Sequence, residues 1–131
     1  MAETQGPETL TITLTGRAPV KVRKAEWPIV ATAYDRDNPG NEPTRTSRLT
    51  IRQHADGRAI VYAVFTTDLE HVEDRRRGQL LDAGEDIGHA AHAVASDMVP
   101  DDRHADERAA EYAAWHDLAE RLLADLPAES I

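Results

Sequence analysis

A chain of 131 residues is the length of one domain, long enough to bury roughly two-thirds of the surface that its unfolded form exposes. It carries a net charge of −9 and no cysteine, which excludes disulfides and thiolate metal sites; no apolar run approaches the roughly eighteen residues of a membrane span. The polar, acidic opening MAETQGPETL lacks the apolar core of a secretory signal, so the expected setting is soluble and cytoplasmic, away from membranes.

Residues 8–15 alternate strictly, with Leu10, Ile12 and Leu14 on one side and threonines on the other, the pattern of a half-buried strand ended by Gly16. Residues 17–23 read as a short extended continuation through Val20 and Val22. From about 24 to 35, Ala25, Ile29, Val30, Ala33 and Tyr34 recur at three and four, which predicts a short helix with Pro28 near its start. DRDNPGNEP is a polar loop. Residues 45–54 and 58–67 predict a hairpin turning at Ala55-Asp56-Gly57, its first strand showing Arg48, Thr50 and Arg52 on one face and hiding Leu49 and Ile51 on the other. The second strand is apolar on both faces, as a central strand would be.

Residues 68–78 read as a charged connector. Leu80, Gly84, Ile87, Ala91, Val94 and Met98 form a helical stripe over about 79–98, stopped by Pro100. A second helix, capped by Asp101 or Asp102, is predicted to run to about Leu126 with Ala105, Ala109, Tyr112, Trp115, Ala119, Leu122 and Leu126 on its buried side. The expected fold class is therefore α+β, a single domain over 1–131. It pairs a sheet-rich part at 8–67 with a helical, acidic part at 79–126. A three-stranded antiparallel sheet with a short helix is packed on one face by two C-terminal helices, which bury Trp27 or Trp115.

Charge is divided unevenly. Residues 1–67 hold nine basic and seven acidic residues, a net +2, whereas residues 68–131 hold six and seventeen, a net −11. Carboxylates at Asp97, Asp101, Asp102, Asp106, Glu107, Glu111 and Asp117 would give the helices an acidic face that resembles a phosphate backbone to a basic groove. Opposing them are Arg45, Arg48, Arg52 and Arg58 around the hairpin and the run Arg75-Arg76-Arg77, which could follow a polyanion, although the overall charge opposes its approach. His89 and His92 stand three apart with Glu85 and Asp86 a turn earlier, and His104 or His116 could add a ligand. The GHAAH pattern lacks the general base of HExxH and reads more simply as a solvated helix face, so neither metal nor cofactor is expected. The adjacent pairs Glu85-Asp86, Asp101-Asp102 and Asp106-Glu107 are not held across a cleft as glycosidase chemistry requires, and no serine sits in a GxSxG context, so no catalytic residue is expected.

The segments TLTITLTGRAPVKV, RLTIRQHADGRAIVYAVF and LADLPAESI together resemble a family of small uncharacterised proteins of proteobacterial plasmids and integrative elements. The likeness spans about half the chain, lies in scaffold residues such as Trp27-Pro28 and the Gly57 turn, and brings no catalytic residue. It implies a mobile-element context, in which small acidic proteins resemble inhibitors of host defence, anti-CRISPR proteins among them. The leading expectation is thus a non-enzymatic module that binds the basic surface of a nucleic-acid-binding complex such as a CRISPR effector. The alternatives are a DNA- or RNA-binding accessory or plasmid regulatory protein using the arginine face, and a metal-dependent enzyme at His89 and His92. The alanine spacing over 105–119 also permits a homodimer.

Overall fold

A computed structural model describes residues 8–37, 45–67, 75–99 and 104–126. Six strands precede two helices: β1 (Thr9–Ile12), β2 (Val20–Arg23), β3 (Ile29–Asp37), β4 (Arg45–Gln53), β5 (Ala59–Thr67), β6 (Arg75–Leu81), α1 (Ile87–Asp97) and α2 (Ala105–Ala124). The fold class is α+β, as the order of patterns predicts.

The sheet arrangement differs from the expected one. The main sheet has four antiparallel strands in the order β3-β4-β5-β6, while β1 pairs only with β2 in a separate two-stranded hairpin. The expected helix at 24–35 is instead largely β3. Along it Ala31 and Ala33 are buried while Thr32 and Tyr34 are exposed, which is period two. The three-four spacing misleads because alanine fits either period, and a register shift between Ile29 and Ala31 breaks the alternation at the strand's start. The connector 68–78 likewise contains the start of β6, whose three arginines mask a strand buried at Gly78 and Leu81.

The hairpin at 45–67 forms as predicted, with Gly57 at φ 99°. Its strands lie at the centre of the sheet and separate two cores. On one face Leu49, Ile51, Val61 and Ala63 pack against Ala91, Val94, Trp115, Leu118 and Leu122 of the helices. On the other, Ile60 packs under Ile12, Leu14, Val22 and Trp27. Both tryptophans are therefore core residues, one in each core.

The hairpin β1–β2 is tied to the edge strand through Thr15, whose N–H donates to the Gly78 carbonyl at 2.8 Å and whose Oγ1 accepts from the Gly78 N–H at 3.2 Å. A Cβ on Gly78 would lie 2.6 Å from the Thr13 carbonyl oxygen, so only glycine allows this approach.

The first helix starts at Ile87 rather than 79. Leu80 and Leu81 belong to β6, Gly84 turns the chain at φ 89°, and Asp86 caps α1 by accepting from the His89 N–H at 3.1 Å. The second helix starts at Ala105, after His104; Asp101 and Asp102, the expected caps, lie outside the described residues. Only the second half of its predicted stripe is buried, at Trp115, Ala119 and Leu122 with Leu118 added, whereas Ala105, Ala109 and Tyr112 are exposed.

Candidate functional site

β6 carries its three arginines into the sheet, so the described strands gather basic residues and the described helical part gathers acidic ones. Among the described residues, 8–81 hold twelve Lys/Arg and five Asp/Glu, while 82–126 hold two arginines and ten Asp/Glu. The sheet side is thus basic and the helical layer acidic.

Within that layer, Asp106 and Glu107 sit exposed in the first turn of α2. Their negative charge suits the positive end of the helix dipole, and the Glu107 carboxylate also accepts from the His104 N–H at 3.4 Å. Asp117 lies three turns later on nearly the same side of the helix, roughly 16 Å along its axis at 1.5 Å per residue. It is exposed and lies 3.5 Å from Arg121 Nε. Glu111 is half-buried and engaged, Asp97 is half-buried at the end of α1, and Asp101 and Asp102 lie outside the described residues. All of residues 104–110 are exposed, so the first turns of α2 present their carboxylates clear of the protein body.

The arginines do not form one stripe. Arg58 lies at the hairpin turn, with Nε 2.8 Å from Asp56 Oδ2 and its guanidinium 5.2 Å from the Trp27 ring centre. The Arg58 backbone N–H holds the Asp56 carboxyl below its ordinary value; desolvation opposes it, and the Arg58 side chain adds to the lowering. Register places Arg75 and Arg77 opposite Phe65 and Ala63, on the helix-facing side, but Arg76 opposite Val64 on the other. Arg45 opens β4 opposite Thr67. Arg48 is exposed on the open face, its guanidinium 5.7 Å from the Tyr34 ring centre.

Arg52 departs most from its expected exposure. It is 8% exposed, because the β1–β2 hairpin and the turn at Trp27 cover this end of the face that the alternation leaves open. Its Nε donates to the Tyr62 hydroxyl and its Nη1 to the Trp27 carbonyl, both at 2.9 Å. Thr50, on the same face, is also buried, its hydroxyl 3.2 Å from that of Thr32. Between the covered end and the open end lies a cavity of about 630 Å³, whose lining includes Lys24, Arg48, Arg52 and Tyr62.

His89 and His92 do not converge. His89 is exposed, whereas His92 turns toward α2, with Nδ1 2.6 Å from His116 Nδ1 and Nε2 2.6 Å from Glu120 Oε2. Ser96 Oγ lies 3.0 Å from His116 Nε2, and the Tyr112 ring lies 4.0 Å from the His116 ring. Glu85 and Asp86 serve the turn and the cap of α1. Among the described residues no group of three or more such side chains is arranged to hold a metal ion. Partial burial, followed by the charge of His92, lowers the His116 pKa, and Glu120 partly opposes this.

With both rings neutral, the bonds can run in one direction: Ser96 to His116, His116 to His92, His92 to Glu120. The order is that of a serine relay. However, Ser96 sits inside α1, where neighbouring N–H groups are spent on the helix and none is aimed at a developing oxyanion. The cluster therefore acts as a polar clasp between the helices. Sequence reading missed it because its members are 24 and 28 positions apart. The only local trace is Tyr112, His116 and Glu120 at four-residue spacing, with His92 and Ser96 repeating it on α1.

These features define an α+β protein whose described strands are rich in basic residues and whose described helical part is acidic. Comparison of the chain with protein families, with curated proteins and with solved structures finds no match.

Proposed function

We propose that the protein is a non-enzymatic binding module whose acidic helical layer engages a basic surface on a nucleic-acid-binding assembly and competes there with nucleic acid. The observation that carries this reading is the sorting of charge by layer, with ten carboxylates against two arginines in the described part of 82–126. The exposed first turns of α2, with Asp106 and Glu107, supply the leading edge of that surface, and Asp117 extends it. Carboxylates in a fixed helical array attract a basic groove, speed encounter with it and repel acidic competitors. In its specific form the module is an anti-defence protein that fills the groove a target keeps for its guide or substrate strand.

The test is affinity capture from the native host with wild-type protein and with the triple variant Asp106→Lys, Glu107→Lys, Asp117→Lys, whose fold is checked by circular dichroism. Wild type should retain basic nucleic-acid-binding proteins and release them to heparin, while the variant retains none of them. Equal retention by both proteins, or retention indifferent to heparin, would refute the reading.

A further inference from the structure

We propose that the open face of the four-stranded sheet is a second binding site, a seat for a nucleotide: a phosphate carried beside a planar ring. It lies on the layer opposite the acidic helices and does not depend on the reading above. Its cavity is lined by three cations, Lys24, Arg48 and Arg52, and by no carboxylate among the described residues.

Arg52 is the central observation. A guanidinium stays charged at any pH a protein tolerates, and burying a charge without a counter-charge is costly. Yet the partners of Arg52 among the described residues are a phenol and a backbone carbonyl, both neutral. Two of its five N–H groups are spent in this way, and among the described residues neither partner brings a counter-charge to the cavity. An anion entering from the open end would supply the missing charge. Tyr62 is set to help: its hydroxyl accepts from Arg52 Nε, so its own proton is left to donate to a ligand oxygen. Arg48, four residues along β4 and so on the same face, adds a second guanidinium beside the opening.

The planar ring follows from what surrounds these cations. Tyr34 is 57% exposed at the same opening, and Arg48 already lies over its ring. A base could stack on Tyr34 while its phosphate reaches Arg48 and Arg52, and 630 Å³ is within the usual size of small-ligand pockets. The phosphate could belong to a free nucleotide or to a unit of a single strand; the recognition chemistry is shared.

Calorimetric titration at low salt tests the seat with four probes: adenosine 5′-monophosphate, adenosine, inorganic phosphate and a single-stranded hexa-adenylate. The monophosphate should bind at least about tenfold more tightly than adenosine or inorganic phosphate, since losing a charged hydrogen bond or the stacking partner each costs roughly that factor. Arg48→Gln, an exposed change that keeps the fold, should weaken it by about tenfold. Arg52→Lys keeps the charge but loses the planar fork and should weaken it too. The triple α2 variant should bind it unchanged, which separates this site from the acidic layer. Tighter binding of the hexa-adenylate than of the monophosphate assigns the seat to a strand, and the reverse assigns it to a free nucleotide. Adenosine binding as well as the monophosphate, or Arg48→Gln leaving affinity unchanged, overturns the anion seat. Inorganic phosphate binding equally well overturns the ring, and no binding of either nucleotide probe at millimolar concentration overturns the whole proposal.

Discussion

The imidazole of His116 meets Ser96 and His92 from α1 and Tyr112 of its own helix, and burial with the nearby His92 keeps its pKa below the ordinary histidine value, the Glu120 charge opposing this in part. In the unfolded chain His116 gains a proton as pH falls through about 6.5, while the folded chain resists it to lower pH. The unfolded state therefore binds more protons in that window, so stability is full above about pH 7 and declines on acidification. Urea unfolding should give a lower midpoint at pH 5.5 than at pH 7.5, and His116→Gln should reduce the difference; an equal difference in the variant would remove His116 as its source. Arg52 sets a second expectation at this scale. Tyr62→Phe takes away the acceptor for Arg52 Nε and leaves a buried charged donor with one partner fewer. The loss should be about 1–3 kcal/mol by chemical denaturation, well beyond that of an exposed tyrosine.

At the scale of elements, the most exacting contact is between the end of the first hairpin and β6. Gly78→Ala would place a methyl group 2.6 Å from the Thr13 carbonyl oxygen and 3.1 Å from Tyr62 Cβ, so the edge strand or the hairpin must move. It should destabilise by about 1–3 kcal/mol, the usual penalty of overpacking, and lower the melting temperature. Gly16→Ala meets no atom within 4 Å, so only the strain of its φ of 73° acts there, and the smaller loss expected is the control. Elements were legible where one period dominates: the hairpin at 45–67, with a β-branched strand and a glycine turn, and the stretch Trp115 to Leu122 of α2. They were illegible where alanine or charge blurred the period. Ala31 and Ala33 pack under helices where a larger side chain would be recognisable, and Arg75-Arg76-Arg77 looked like a solvated connector although it forms an edge strand. The acidic face was visible as composition, whereas the Arg52 cavity and the histidine clasp depend on chain reversals that no local pattern records.

At the scale of the whole molecule, a central four-stranded sheet separates two unequal cores. Among the described residues, the helix side buries eighteen around Trp115 and the hairpin side five around Trp27. Apolar burial scales with the area removed from water, so the smaller core gives much less stabilisation, and the β1–β2 hairpin is held additionally by the Thr15–Gly78 pair and the Arg52–Trp27 bond. Local opening free energies follow such contacts, and the hairpin should open below the global transition. The two tryptophans report the two sides separately. In Trp115→Phe, fluorescence from Trp27 should change at lower urea than far-UV circular dichroism measured on the same variant. In Trp27→Phe, fluorescence from Trp115 and far-UV circular dichroism should coincide, because the helices and the four-stranded sheet share one core. Each comparison is made within one variant, so the cost of the substitution itself cancels. Coincident transitions in Trp115→Phe would mean that β1–β2 unfolds only with the rest, and that Arg52 stays covered until the whole sheet is lost.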